Sequence, residues 1–279
     1  MNRLLICTAV SALALVGSGA RASGTATIDM TGLQVHLVDL DPTDGIAPSV
    51  TFDSTGGGSF VSATGGYGPS AVDITQAGAS AFSSLAVTTG QTPAVGSAIS
   101  LDGDIFGSGL TMHGSAYTTG EQLADASAEA HLFRLNKDSD ELPFTLSAHT
   151  ELVISGAMSG TVETNDTNHD VALAEVNLVL TRSLLENLDT DVAGVTLRVG
   201  GDDGPVSSAS AQEDLSVSFT NDSADETTGI FLGFVVAAAS TGPAAVLSVD
   251  EPSPAGLLMA GAAAVAAFAR RKRGADRVA

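Results

Sequence analysis

Three aspartates share one short turn, Asp39-Leu-Asp41-Pro-Thr-Asp44-Gly45. Carboxylates set this close supply the kind of oxygen ligands that calcium takes, about six to eight of them per ion. The spacing departs from an EF-hand loop, which puts oxygens at roughly positions 1, 3 and 5 and glycine at 6. The same residues also make ordinary Asx-turns, in which a side-chain oxygen holds a backbone N–H two residues on. Asp39, Asp41 and Asp44 are the candidate metal ligands, and calcium is the one cofactor the sequence raises. Asp166-Thr-Asn168-His-Asp170 has the alternating spacing, but Val171 stands where the glycine belongs. Asp202-Asp203-Gly204 is a shorter acidic turn.

Other chemistries find no motif. The chain has no G-x-S-x-G elbow, no H-E-x-x-H and no P-loop. His36, His113, His131, His149 and His169 are scattered, none within four residues of another. The only cysteine, Cys7, lies in an apolar N-terminal stretch, so the rest of the chain holds no thiol nucleophile, thiolate ligand or disulfide. Carboxylates are plentiful, yet no pair is singled out for acid–base work. Sugar sites often stack a ring on Trp or Tyr. Trp is absent, which leaves Tyr67 and Tyr117, both in Gly-, Ser- and Thr-rich stretches read as loops. The alternative for both is a packing tyrosine.

The elements that must position these residues read as strands. Leu33, Val35 and Leu37 alternate with polar residues before the Asp39–Gly45 turn, and Val50 and Phe52 open the next strand. Further strands are expected at Ala81–Val87, Ala98–Leu101, Ile105–Met112 and Ala124–Leu135, with a turn at Asp102–Asp104. In Ala124–Leu135 strict alternation outweighs the helix preference of alanine. Phe144–Leu146, a turn at Ser147–Thr150 and Leu152–Ile154 read as a hairpin. Val171–Thr181, Val195–Val199 and Leu215–Phe219 alternate, and Arg182–Leu188 reads as one helical turn. Ile230–Ala239 is apolar on both faces, as in a central strand. Many short strands between turn signals predict an all-β domain, a sandwich or jelly roll.

The charge is lopsided. Thirty of the 32 acidic residues lie within 23–250, against Arg134, Lys137, Arg182 and Arg198 as its only basic residues. So acidic a surface repels nucleic acid and anionic lipid. It favours solubility and attracts divalent cations.

The two ends read as addresses. Arg3, the apolar run 4–16 and Ala20-Arg21-Ala22 form an export signal with an A-x-A cleavage site, so 1–22 is expected to be removed and the chain to start at Ser23. At the other end come Asp250-Glu251-Pro252, the uncharged run 255–269, and Arg270-Arg271-Lys272-Arg273. Fifteen helical residues span about 22 Å, short of the roughly 30 Å bilayer core. The basic block marks the cytoplasmic side. A domain over 23–239, a tether over 240–248 and a tail over 249–279 follow from this reading.

The order Glu251-Pro252, apolar helix, arginine cluster, chain end resembles the PEP-CTERM sorting tail of exopolysaccharide-producing Gram-negative bacteria. In that family the short motif is usually Pro-Glu-Pro; here Asp250 takes the first place. The stretch 35–52 also resembles a segment near the mature N-terminus of many such proteins. The resemblance implies recognition of Glu251 and Pro252 by an exosortase, a membrane-embedded protease. It implies passage through an inner-membrane-anchored form and release to the cell surface or extracellular matrix. A non-enzymatic structural or interaction role is the leading expectation. The alternatives are a calcium- or glycan-binding surface module, with exopolysaccharide as a possible partner, and a secreted carboxylate-dependent hydrolase.

Overall fold

The computed structural model describes residues 23–241, except 56, 68–69, 93, 120–123, 135–139, 166–169, 183–189 and 201–207. The described residues are all-β, with no α-helix among them. In chain order the strands are β1 (Ser23–Asp39), β2 (Val50–Phe52), β3 (Gly58–Gly66), β4 (Val72–Ala77), β5 (Leu85–Thr92), β6 (Val95–Asp104) and β7 (Gly109–Thr119). They continue as β8 (Ala124–Arg134), β9 (Leu142–Leu146), β10 (Thr150–Thr164), β11 (Val171–Thr181), β12 (Asp191–Gly200), β13 (Ser208–Asn221) and β14 (Thr227–Thr241).

They form two antiparallel sheets that face each other across one apolar core. The first runs β13-β10-β1-β7-β6-β5. The second runs β12-β11-β14-β8-β3-β4, and β9 continues the line of β8 along β14 with β2 on its outer side. β14 lies between β11 and β8, the central place its two apolar faces predict. Ala124–Leu135 is strand as its alternation predicts, ending at Arg134.

Several boundaries differ from expectation. Phe144–Leu146 and Leu152–Ile154 are not a hairpin: β9 pairs with β14 and β2, whereas β10 pairs with β1 and β13. The Ser147–Thr150 corner carries the chain from one sheet to the other. Asp102–Asp104 is strand, and the turn follows it, because Gly109 rather than Ile105 opens the return. β5 starts at Leu85, after a turn over residues 81–82. Ser240 and Thr241, expected in the tether, belong to β14 and are buried. The expected helical turn at 182–188 lies almost wholly outside the described residues.

The core is graded by side-chain size. In the second sheet, the register aligns Ala172, Ala239, Ala126 and Gly65 in one inward row, and Ala174, Ala237, Ala128 and Ala63 in the next. The third row is Val176, Val235, Ala130 and Val61, and beyond it come Leu178 and Leu132, then Leu180 and Phe231. The first sheet is graded the same way, from Gly24, Ala26 and Ala116 to Leu33 and Leu110. Stacked sheets ordinarily lie about 10 Å apart, filled by interdigitated side chains. At the small end they come close: a Cβ on Gly114 would stand 3.5 Å from Ala237 Cβ, and one on Gly24 3.4 Å from Ala239 Cβ. At the large end six phenylalanines gather. Phe52 packs against Phe82, Phe106, Phe144 and Phe231 with centroids 5.3–6.3 Å apart, and Phe144 meets Phe219 edge-on at 5.2 Å.

A bulge in β1 bends this strand between its two partners, where the register slips after Thr31 and after Met30. Gly32 sits there at φ +64, and a Cβ on the facing Gly109, itself at φ +93, would stand 2.9 Å from Gly32 Cα. Both positions need glycine, for left-handed backbone and for close approach.

Candidate functional site

The acidic turn follows β1 at the large end of the core. Its first two aspartates hold the backbone. Asp39 Oδ1 accepts from Asp41 N at 3.0 Å, and Asp41 Oδ1 accepts from Thr43 N at 3.1 Å and Thr43 Oγ1 at 2.7 Å. Asp44 Oδ1 accepts from Ile46 N at 2.6 Å. These are Asx-turns, and the Thr43 hydrogen bonds hold the Asp41 carboxyl below its ordinary pKa.

The corner between β9 and β10 brings a histidine against this turn. Leu40 N donates to His149 O at 2.8 Å, and His149 N donates to Ser223 O at 3.1 Å. His149 takes left-handed backbone, φ 46, in the corner between β9 and β10. One ligand atom each from Asp41, Asp44 and His149 lies within 4.8 Å of the others. The structure thus brings together two of the three expected ligands and adds an imidazole. Asp39 is not in the group; its carboxylate closes the first turn instead. Sequence spacing could not reveal His149, which is 105 residues beyond Asp44 and meets it only because β9 and β10 part company. The imidazole changes the chemistry: an Asp2His set suits borderline cations such as Zn²⁺ or Mn²⁺, whereas calcium takes oxygen alone.

A second titratable cluster lies on the outer face of the second sheet. His131 of β8 is buried, with Nδ1 3.2 Å from Asp140 Oδ2 and Nε2 3.8 Å from Glu129 Oε2. Phe234 stacks on its ring at 5.9 Å and Phe60 tilts against it at 6.0 Å. Glu175, on β11, is pushed up by burial, although Asn177 Nδ2 donates to its Oε1 at 2.5 Å. The register sets Val236 between Glu175 and Glu129.

The outer face of the first sheet is polar and short-chained, with Thr27 and Thr161 sharing a 2.7 Å hydroxyl hydrogen bond. His113 Nδ1 meets Asp29 Oδ1 at 2.5 Å there, and that hydrogen bond raises the imidazole above its ordinary pKa. Tyr117 lies in strand β7, not in a loop, and its ring occupies the space a side chain on Gly96 would fill. Tyr67 follows β3 and packs against the core. Asp170 is wholly buried, so it does not offer a surface ligand.

The remaining expected site residues lie outside the described residues: Ala20 and Ala22, Glu251 and Pro252, the 255–269 run, and Arg270, Arg271, Lys272 and Arg273. So do Asp166, Asn168, Asp202 and Asp203. No protein-family model matches the chain, and no curated protein is significantly similar to it.

Proposed function

We propose that this chain is an exported, non-enzymatic protein of the cell surface or extracellular matrix, with a β-sandwich domain delivered by a PEP-CTERM-like sorting tail. The observation that carries this reading is the three-part C-terminal layout, Glu251-Pro252, apolar run, basic block. The fold is compatible with both expected cuts. The described strands lie within 23–241, inside both expected cuts. An exosortase is the processing partner, and exopolysaccharide the surrounding polymer. Mass spectrometry of shed protein tests it: the expected product starts near Ser23 and lacks 255–279. Recovery of secreted protein with the intact C-terminus overturns it. An orientation test is independent. A reporter fused after Ala279 is expected to be active in the cytoplasm and silent in the periplasm.

A second reading rests on Asp41, Asp44 and His149: the domain binds a divalent cation at this turn. Melting curves in zinc, manganese, calcium and sodium chloride of matched ionic strength test it. A stabilisation by one divalent cation that is lost in both Asp41→Ala and His149→Ala supports a site. Equal effects of matched sodium, or full retention in His149→Ala, rule it out.

A further inference from the structure

The imidazole of His131 has a carboxylate near each of its two nitrogens, Asp140 Oδ2 3.2 Å from Nδ1 and Glu129 Oε2 3.8 Å from Nε2, at ion-pair rather than hydrogen-bond geometry. A neutral imidazole has one N–H and presents a lone pair at the other nitrogen. It would therefore repel one of the two carboxylates, and only the imidazolium suits both. The surroundings reinforce the cation. Phe234 and Phe60 present their rings to it, and aromatic faces attract cations. The described groups that face His131 are Glu129 from its own strand, Asp140 from the segment entering β9, Phe60 from β3 and Phe234 from β14. Glu175 stands two strands away on β11, with Glu141 next to Asp140 in sequence. All the titratable groups among these are acidic.

The cluster joins parts of the chain that the sheet alone does not join. β8 and β9 lie in line along β14, and no ladder pairs one with the other. Asp140 sits just before Leu142, the first residue of β9, and reaches back to His131 on β8. β9 in turn carries Phe144 into the phenylalanine cluster. We propose that Glu129, His131 and Asp140 form a proton-held clasp that fastens the start of β9 to the outer face of the second sheet, and that loss of the one imidazolium proton releases it.

The direction follows from linkage. Despite desolvation, the two carboxylates raise His131 from 6.5 to about 9. The clasp is therefore fully formed below the unfolded-state value and is lost as pH rises through the folded one. On release, the proton leaves to solvent and the two carboxylates face a neutral ring.

Histidine NMR and hydrogen exchange on the full chain test this. The His131 ring is expected to stay protonated at pH 8 and to titrate near the value above. After correction for intrinsic rates, exchange at Leu142 and Phe144 is expected to rise by on the order of tenfold between pH 7 and pH 10. Asp140→Asn should show the faster exchange already at pH 7, and His131→Gln should remove the pH dependence. A His131 that titrates at or below 6.5 overturns the clasp, as does exchange at β9 that is unchanged between the two pH values in the unaltered protein. Should His131→Gln fail to fold, the unaltered protein and Asp140→Asn still decide the matter.

Discussion

The carboxylate of Asp191 accepts a hydrogen bond from the backbone N–H of Ser218 at 2.8 Å, although the two residues belong to different sheets. β12 and β13 are the edge strands of their sheets on the same side of the domain. Edge N–H groups otherwise invite pairing with another chain. Asp191 thus occupies one of these edge groups and ties the two sheets together there. Asp191→Ala is expected to cost about 1–3 kcal/mol, because a charged acceptor is lost and Ser218 N is left without it. Chemical denaturation measures this, and an unchanged midpoint refutes it.

Asn221 organises the corner where the chain changes sheets. Its buried amide donates to Ser147 O and Asp225 O, each at 2.9 Å, and its Oδ1 accepts from Ser223 Oγ at 2.7 Å. Asn221→Leu leaves these groups unpaired. A loss of about 2–4 kcal/mol is expected, from one to two buried unsatisfied groups. Thermal melting that leaves the variant as stable as the parent refutes this.

The graded core predicts opposite failures at its two ends. Ala237→Leu forces side-chain volume into the narrow end, where a Cβ on Gly114 of the facing sheet would already stand 3.5 Å from Ala237 Cβ, at a cost of about 1–3 kcal/mol or more. Phe231→Ala empties the broad end, at a cost of about 3–5 kcal/mol. The double variant should not rescue either loss, because the cavity and the clash are separate. Denaturation of the three variants checks both the signs and their additivity.

His113 and Asp29 make a stability term that depends on pH. The folded-state pKa of His113 is raised, chiefly by the Asp29 hydrogen bond. The contribution is therefore complete below the unfolded value of about 6.5 and fades as pH rises through the folded one. Proton NMR should place His113 above the ordinary histidine range and return it there in Asp29→Asn. Titration of His113 at the same pH in both proteins would contradict the assignment.

The strand faces were legible in the sequence wherever alternation is long. Ala126, Ala128 and Ala130 mark an inward face against Asp125, Ser127 and Glu129, and the all-β class follows from many such stretches. The pairing of strands was less legible. Phe144–Leu146 and Leu152–Ile154 have hairpin spacing, but local spacing does not distinguish a hairpin from a chain that crosses between sheets. Here Asn221, far along the chain, holds that corner. Tyr117 looked like a loop residue because the outer face of the first sheet uses Thr, Ser and Gly, the composition of a loop. The turn aspartates were legible as Asx-turn formers, which Asp39, Asp41 and Asp44 are. His149 was not, because its approach to Asp41 depends on the same crossing.

The grading of the core also sets a polarity for the whole domain. Gly24 and Ala239 meet at the alanine end, so Ser23 of β1 and Thr241 of β14 both lie there. The 15 residues of β14 extend about 50 Å from that point to the Phe231 side, at about 3.3 Å per residue. A chain held through its tail would stand on its narrow foot. The Asp41–Asp44–His149 turn and the exposed ring of Phe106 would then be carried at the far tip.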